Sequence, residues 1–211
     1  MIALFNWLVK ITGWLPQKLC FKTKVYYEDK KAQSRRIKGP AIIISNHTSV
    51  YDYAVMMFVF FSRTLRYQMA EVLFKKRGLS GFLRALGGIE VNRDTHETSC
   101  IDKSERILKK GGVVGIFPEG RLAKEGETPP IEFKTGAAAL ALMTGVKLIP
   151  AYTDGNYFGK KRARVIIGKP IDARELYDDD KTYRQNLNDV TVALRQKIID
   201  LGELLGEKQK G

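Results

Sequence analysis

The stretch Ile42-Ile43-Ile44-Ser45-Asn46-His47-Thr48-Ser49-Val50-Tyr51-Asp52 constrains this chain more than any other. A run of β-branched apolar residues reads as a buried strand, and it stops at a polar turn built from residues that reverse the chain and cap helices. The apolar stretch 53–61 then reads as a helix. The turn carries His47, one of two histidines in the chain, and Asp52 follows five positions later. Five residues of regular helix rotate about 500°, so two helical side chains at that spacing point roughly 140° apart. His47 and Asp52 can meet only if His47 lies in the turn and folds back onto the first turn of the helix. Placed there, the carboxylate would fix the imidazole tautomer and stabilise the imidazolium formed when the other nitrogen takes a proton. An isolated HxxxxD is more often a satisfied turn histidine, with an aspartate that suits the dipole of a helix N-terminus.

At 211 residues the chain suits one α/β domain that buries enough surface to need no metal or disulfide. Its net charge of +13 points to an anionic partner: nucleic acid, an acidic membrane surface or a phosphorylated substrate. Cys20 and Cys100 lack CxxC spacing, which argues against a disulfide framework or structural zinc and for a reducing compartment. His47 and His96 are the only imidazoles and no HExxH is present, so no catalytic metal is expected; His96, in a polar stretch, reads as solvated.

Residues 1–20 form a segment of their own, and 21–211 the remaining domain. Leu4, Trp7, Leu8, Ile11, Trp14 and Leu15 recur at helical spacing, with Asn6, Lys10, Thr12 and Gln17 largely elsewhere. A 15-residue helix is about 22 Å long, short of the roughly 30 Å hydrocarbon core, so the stripe reads as a membrane-interface helix rather than a span. The alternative is a helix packed on the domain. Both tryptophans lie here, and Lys18, Lys22 and Lys24 follow, as suits anionic headgroups.

Further strands are expected at 21–27, 64–69, 89–91, 113–117, 146–152 and 162–168, and helices at 73–86, 98–110, 137–144 and 182–205. Pro150 argues that its strand lies at an edge or terminus of the sheet. Gly115 to Arg121 has part of a phosphate-loop pattern but lacks its lysine and Ser/Thr. Pro118 and Gly120 after a buried strand still force a turn at a strand's carboxyl end, where α/β folds bind ligands, and would aim Glu119 and Arg121 into one crevice.

Four blocks stand in order: Asn46-His47-x4-Asp52, Gly88-Ile89-Glu90-Val91-Asn92-Arg93, Phe117-Pro118-Glu119-Gly120 and Leu148-Ile149-Pro150-Ala151-Tyr152, with Phe133-Lys134-x-Gly136 between the last two. Over residues 40–155 this series resembles the glycerophospholipid acyltransferase family. The third block departs from the family's usual FPEG-Thr-Arg-Ser, since Arg121 follows Gly120 directly and Leu122-Ala123 come next. The resemblance implies an α/β fold with a mixed central β-sheet flanked by helices, preceded by the amphipathic N-terminal helix. It implies an O-acyltransferase of phospholipid biosynthesis, moving a fatty acyl group from an acyl-CoA or acyl carrier protein thioester to a hydroxyl of a lysophospholipid such as lysophosphatidic acid, or of glycerol phosphate. On this reading His47 is the general base, Asp52 orients it, and Arg93, Glu119, Gly120 and Arg121 hold the acceptor, with Asn46 and Pro118 supporting the turns. No cofactor and no nucleic acid are expected, and the enzyme is expected on the cytoplasmic face of a membrane.

Two other classes compete. A lipase or thioesterase would pair His47 with a serine or cysteine nucleophile, yet GxSxG is absent and neither cysteine adjoins a block. A non-catalytic module for nucleic acid or anionic lipid follows from charge alone and lacks interleaved aromatic and basic residues.

Overall fold

The computed structural model describes residues 1–92, 99–159 and 162–208. Its framework is a seven-stranded sheet formed by β1 (Lys24–Tyr27), β2 (Ala41–Ser45), β3 (Leu65–Ala70), β4 (Ile89–Val91), β5 (Val113–Ile116), β6 (Leu148–Thr153) and β7 (Arg164–Ile167), in the spatial order β1-β7-β6-β2-β5-β3-β4. All neighbours from β6 to β4 run parallel, whereas β7 is antiparallel to β6 and parallel to β1. The mixed sheet expected from sequence is therefore present. β2 lies at its centre and is buried along its whole length. That is why it reads as continuous Ile rather than as an alternation: helices cover both faces.

The alternation of side chains across β2 divides the core. Ile42 and Ile44 join Val114, Ile116 and Leu148 beneath α7 (Gly136–Thr144) and α8 (Tyr183–Glu207). Ile43 faces the other way with Leu65, Tyr67 and Ile149, beneath Val55, Met56 and Val59 of α3 (Asp52–Val59). α6 (Ser99–Lys109) packs beside α7. α8 starts at a capping box in which Thr182 and Gln185 exchange side-chain and backbone bonds, satisfying two otherwise orphaned groups.

Three expectations are corrected. Pro150 sits in an interior strand, between β2 and β7, not at an edge. Its carbonyl accepts from Gly168 N, so its missing N–H falls on the β7 side, just where the β6–β7 ladder ends at Ala151–Ile167. The helix read at 73–86 is two, α4 (Glu71–Phe74) and α5 (Leu79–Leu86), separated at Gly78, whose φ of 83° a continuous helix does not permit. The N-terminal helix is likewise two, α1 (Ile2–Thr12) and α2 (Trp14–Cys20), which meet at Gly13.

The N-terminal pair presents its faces in an unusual sense. The polar residues Asn6 and Lys10 are buried, whereas Leu4, Leu8, Ile11, Trp14, Leu15 and Leu19 are exposed. Phe5 and Val9 pack against Met57, Phe58 and Leu86, and this narrower row docks the helix. Lys10 donates to the carbonyls of Phe61 at 2.9 Å and Arg63 at 2.6 Å, just past the end of α3. Burial lowers the Lys10 pKa to about 8. Among the described residues, no helix is long and apolar enough to cross a membrane.

Candidate active site

β2, β5 and β6 are parallel, so the segments that follow them emerge at one edge of the sheet. His47 leaves β2 there, Phe117 to Glu119 leave β5, and the loop 154–158 leaves β6. The chain from His47 turns back as its spacing to Asp52 demands. His47 Nδ1 lies 2.9 Å from Asp52 Oδ2. Asp52 is the first residue of α3 and fully buried, and its carboxylate itself satisfies the backbone N–H groups ahead of the helix. Oδ2 accepts from Thr48 N at 2.7 Å and Ser49 N at 2.8 Å; Oδ1 accepts from Thr48 Oγ1 at 3.1 Å. The Ser/Thr side-chain cap expected for this helix is not formed, and Asp52 holds the N–H groups of the turn before it instead. A buried, unpaired carboxylate costs several kcal/mol, and these bonds offset that cost.

An ionised Asp52 only accepts, so Nδ1 carries the proton and Nε2 presents a lone pair. Among the described residues Nε2 has no protein partner, and the side chain retains 18% exposure. The imidazole stacks on Phe117, centroids 4.2 Å apart with 9° between planes, and Phe117 packs on Tyr67 at 4.8 Å. Tyr67 fits because Gly115 has no side chain: a Cβ there would collide with the tyrosine ring. Gly115, noticed in the sequence as part of a failed phosphate-loop pattern, instead makes room for the aromatic support of His47.

Tyr157 is the residue that sequence reasoning missed. Its hydroxyl donates to Asp52 Oδ1 at 2.6 Å and lies 2.9 Å from Thr153 Oγ1. Burial and the adjacent Asp52 charge push its pKa far up, so it remains a donor. The only signal available in sequence was a tyrosine shortly after the fourth block.

Glu119 is 2% exposed and spends both oxygens on backbone. Oε1 accepts from His47 N at 2.7 Å and Oε2 from Ile131 N at 2.9 Å. Burial raises its pKa, against the pull of those two N–H groups. Glu119 therefore holds the turn that carries His47. Asn46 does similar work on the other side, donating Nδ2 to Thr153 O at 2.8 Å and accepting Thr153 N at 2.9 Å. Pro118 accepts from Lys134 N at 2.8 Å, and Gly120, at φ 68°, closes the turn beneath the Lys134 side chain. Arg121 forms a two-pronged ion pair with Glu127, at 2.6 and 2.7 Å, on the exposed side of this loop. Arg93 and His96 lie outside the described residues, so the expected acceptor set is brought together only in part. Among the described residues no group of three or more His, Cys, Asp or Glu could hold a metal.

The fold and this edge together bring one His-Asp pair to the carboxyl ends of the parallel strands, an arrangement chemically able to take a proton from a hydroxyl. The chain belongs to the Acyltransferase family, whose sequence profile matches residues 22–154. It is 26% identical over 171 residues to the 1-acyl-sn-glycerol-3-phosphate acyltransferase of Bacillus subtilis, covering 79% of this chain and 83% of that protein. It is 30% identical over 146 residues to the human 1-acyl-sn-glycerol-3-phosphate acyltransferase beta, covering 67% of this chain but 51% of that protein. The crystal structure of the 1-acyl-sn-glycerophosphate acyltransferase PlsC from Thermotoga maritima shares the fold, with TM-score 0.60, 19% identity and coverage of 92% of this chain and 78% of that one.

Proposed function

We propose that the protein transfers a fatty acyl group from an acyl thioester to the free hydroxyl of lysophosphatidic acid, the acceptor class named for its relatives. The observation that carries the chemistry is the His47 imidazole, tied at Nδ1 to a saturated carboxylate and open at Nε2. Nε2 takes the acceptor's hydroxyl proton as its oxygen attacks the thioester carbonyl. The tetrahedral adduct collapses, the C–S bond breaks, and the departing thiolate recovers the proton from Nε2. Such base catalysis contributes typically 10²–10⁴-fold, with positioning and oxyanion stabilisation supplying the remainder. Among the described residues no serine or cysteine bonds to His47, which supports direct transfer without an acyl-enzyme. Arg93 and Arg121 are our candidates for the acceptor phosphate, the latter only after it leaves Glu127; Glu119 and Gly120 shape that turn.

The outward apolar stripe of α1 and α2 supports a membrane-surface reading. A soluble packing helix would bury Leu8, Ile11 and Leu15 and expose Lys10, the reverse of what is found.

Mass spectrometry of wild-type reactions tests the activity, pairing acyl-CoA or acyl carrier protein donors with lysophosphatidic acid, glycerol 3-phosphate or lysophosphatidylcholine. Diacylated phosphatidate is expected from lysophosphatidic acid, with one donor preferred. Release of free fatty acid at a rate indifferent to acceptor would support hydrolysis instead. For the membrane reading, L8E/L15E should stay folded and lose vesicle binding; undiminished binding would contradict it.

A further inference from the structure

Away from the catalytic turn, a cavity of about 690 Å³ lies between α2, the start of β1 and the C-terminal end of α3. Its buried lining includes Phe58 and Val59, whereas Lys18, Lys22, Arg35, Arg36 and Arg162 line it as exposed cations. No carboxylate among the described residues lines it. Arg35 is engaged with the carbonyls of Val59 and Phe58, at 2.7 and 2.8 Å, and Lys18 lies 4.0 Å over the Trp14 ring. Lys22, Arg36 and Arg162 have no side-chain partner among the described residues. Lys22 also holds φ at 48°, a left-handed conformation that residues other than glycine rarely adopt. Five like charges converging on one hollow repel each other, and an anion relieves that repulsion.

Trp14 connects the cavity to the outward stripe, because it lines the one and is exposed on the other. An anion bound here would sit at the level where an indole meets lipid headgroups. We propose that this cavity is a second anion site, distinct from the acceptor site, that takes the phosphodiester head group of an anionic phospholipid in the membrane surface. The proposal rests on the membrane-surface reading of α1 and α2. It also touches catalysis: Lys22 follows Phe21, whose ring packs 5.4 Å from that of Tyr157, the donor to Asp52.

Trp7 and Trp14 are the two tryptophans, so in a Trp7→Phe protein all indole emission comes from Trp14 at the cavity rim. Its emission would be titrated with short-chain phosphatidylglycerol below the micelle threshold, and in parallel with short-chain phosphatidylcholine, inorganic phosphate and coenzyme A. A saturable change with phosphatidylglycerol is expected, weakened roughly 30-fold when K22Q and R36Q are added, at about 1 kcal/mol per charge. Thermal melts should be unchanged, since both side chains are exposed and unpaired among the described residues. No saturable change, an equal response to phosphatidylcholine, saturation by inorganic phosphate or coenzyme A at equal or lower concentration, or indifference to K22Q/R36Q would each overturn the proposal. Flotation of the wild-type protein on vesicles separates the two readings. Loss of binding to every vesicle composition would sink the membrane reading, whereas binding kept alongside an unaltered K22Q/R36Q titration would sink the cavity alone.

Discussion

The hydroxyl of Tyr157 donates to Asp52 at 2.6 Å across 105 residues of chain, and so the loop after β6 takes part in setting the charge that faces His47. Tyr157→Phe removes that donor and leaves Asp52 Oδ1, among the described residues, held by Thr48 Oγ1 alone. kcat should fall about 10-fold with KM for lysophosphatidic acid unchanged, at about 1.5 kcal/mol for a hydrogen bond to a charged group. Wild-type kcat in the folded variant would contradict the assignment.

Glu119 brackets His47 N and Ile131 N with its two oxygens. Glu119→Gln keeps the shape but turns an amide N–H₂ toward one of those donors. Stability should fall by about 1–3 kcal/mol in urea denaturation, the cost of a buried donor left unpaired. kcat should fall with it, because the His47 turn loosens. A variant with wild-type stability would show that the carboxylate is not bonded as described.

Among the described residues no carboxylate pairs with the buried Lys10, and its pKa is lowered to about 8 from a usual 10.5. The unfolded chain keeps its proton up to the higher value, while the folded chain releases it near the lower one. Between those values the unfolded state binds more protons, so stability rises with pH through that window. Measured from pH 8 to 9, a full unit below the usual tyrosine pKa, the gain should be on the order of 1 kcal/mol. Lys10→Met should flatten this slope, and an equal slope in both proteins would place the titration elsewhere.

Which of these features the sequence revealed follows from their range. The Ile42 to Asp52 unit is local: a buried strand, a polar turn and a helix start within eleven residues, so its geometry could be argued from rotation per residue alone. The Pro118-Glu119-Gly120 turn was equally legible as a turn, but a carboxylate aimed at backbone N–H groups has the same sequence as one aimed at a ligand. Arg121 lost its expected freedom to Glu127, six positions on, in a loop whose path no periodicity fixes. Helical spacing drew the stripe of α1 correctly, yet periodicity cannot say which face docks; the burial of Asn6 and Lys10 is a tertiary fact. Pro150 misled because its missing donor matters only if a neighbour needs it, and β7 ends opposite it.

The central claim is that His47 is the base of the transfer step, and its most direct measurement is kcat/KM for lysophosphatidic acid with wild type and His47→Ala, each checked for an intact fold by circular dichroism and thermal melting. A folded variant with transfer reduced about 10²–10⁴-fold is expected. A folded His47→Ala that keeps full acyl transfer would contradict the claim.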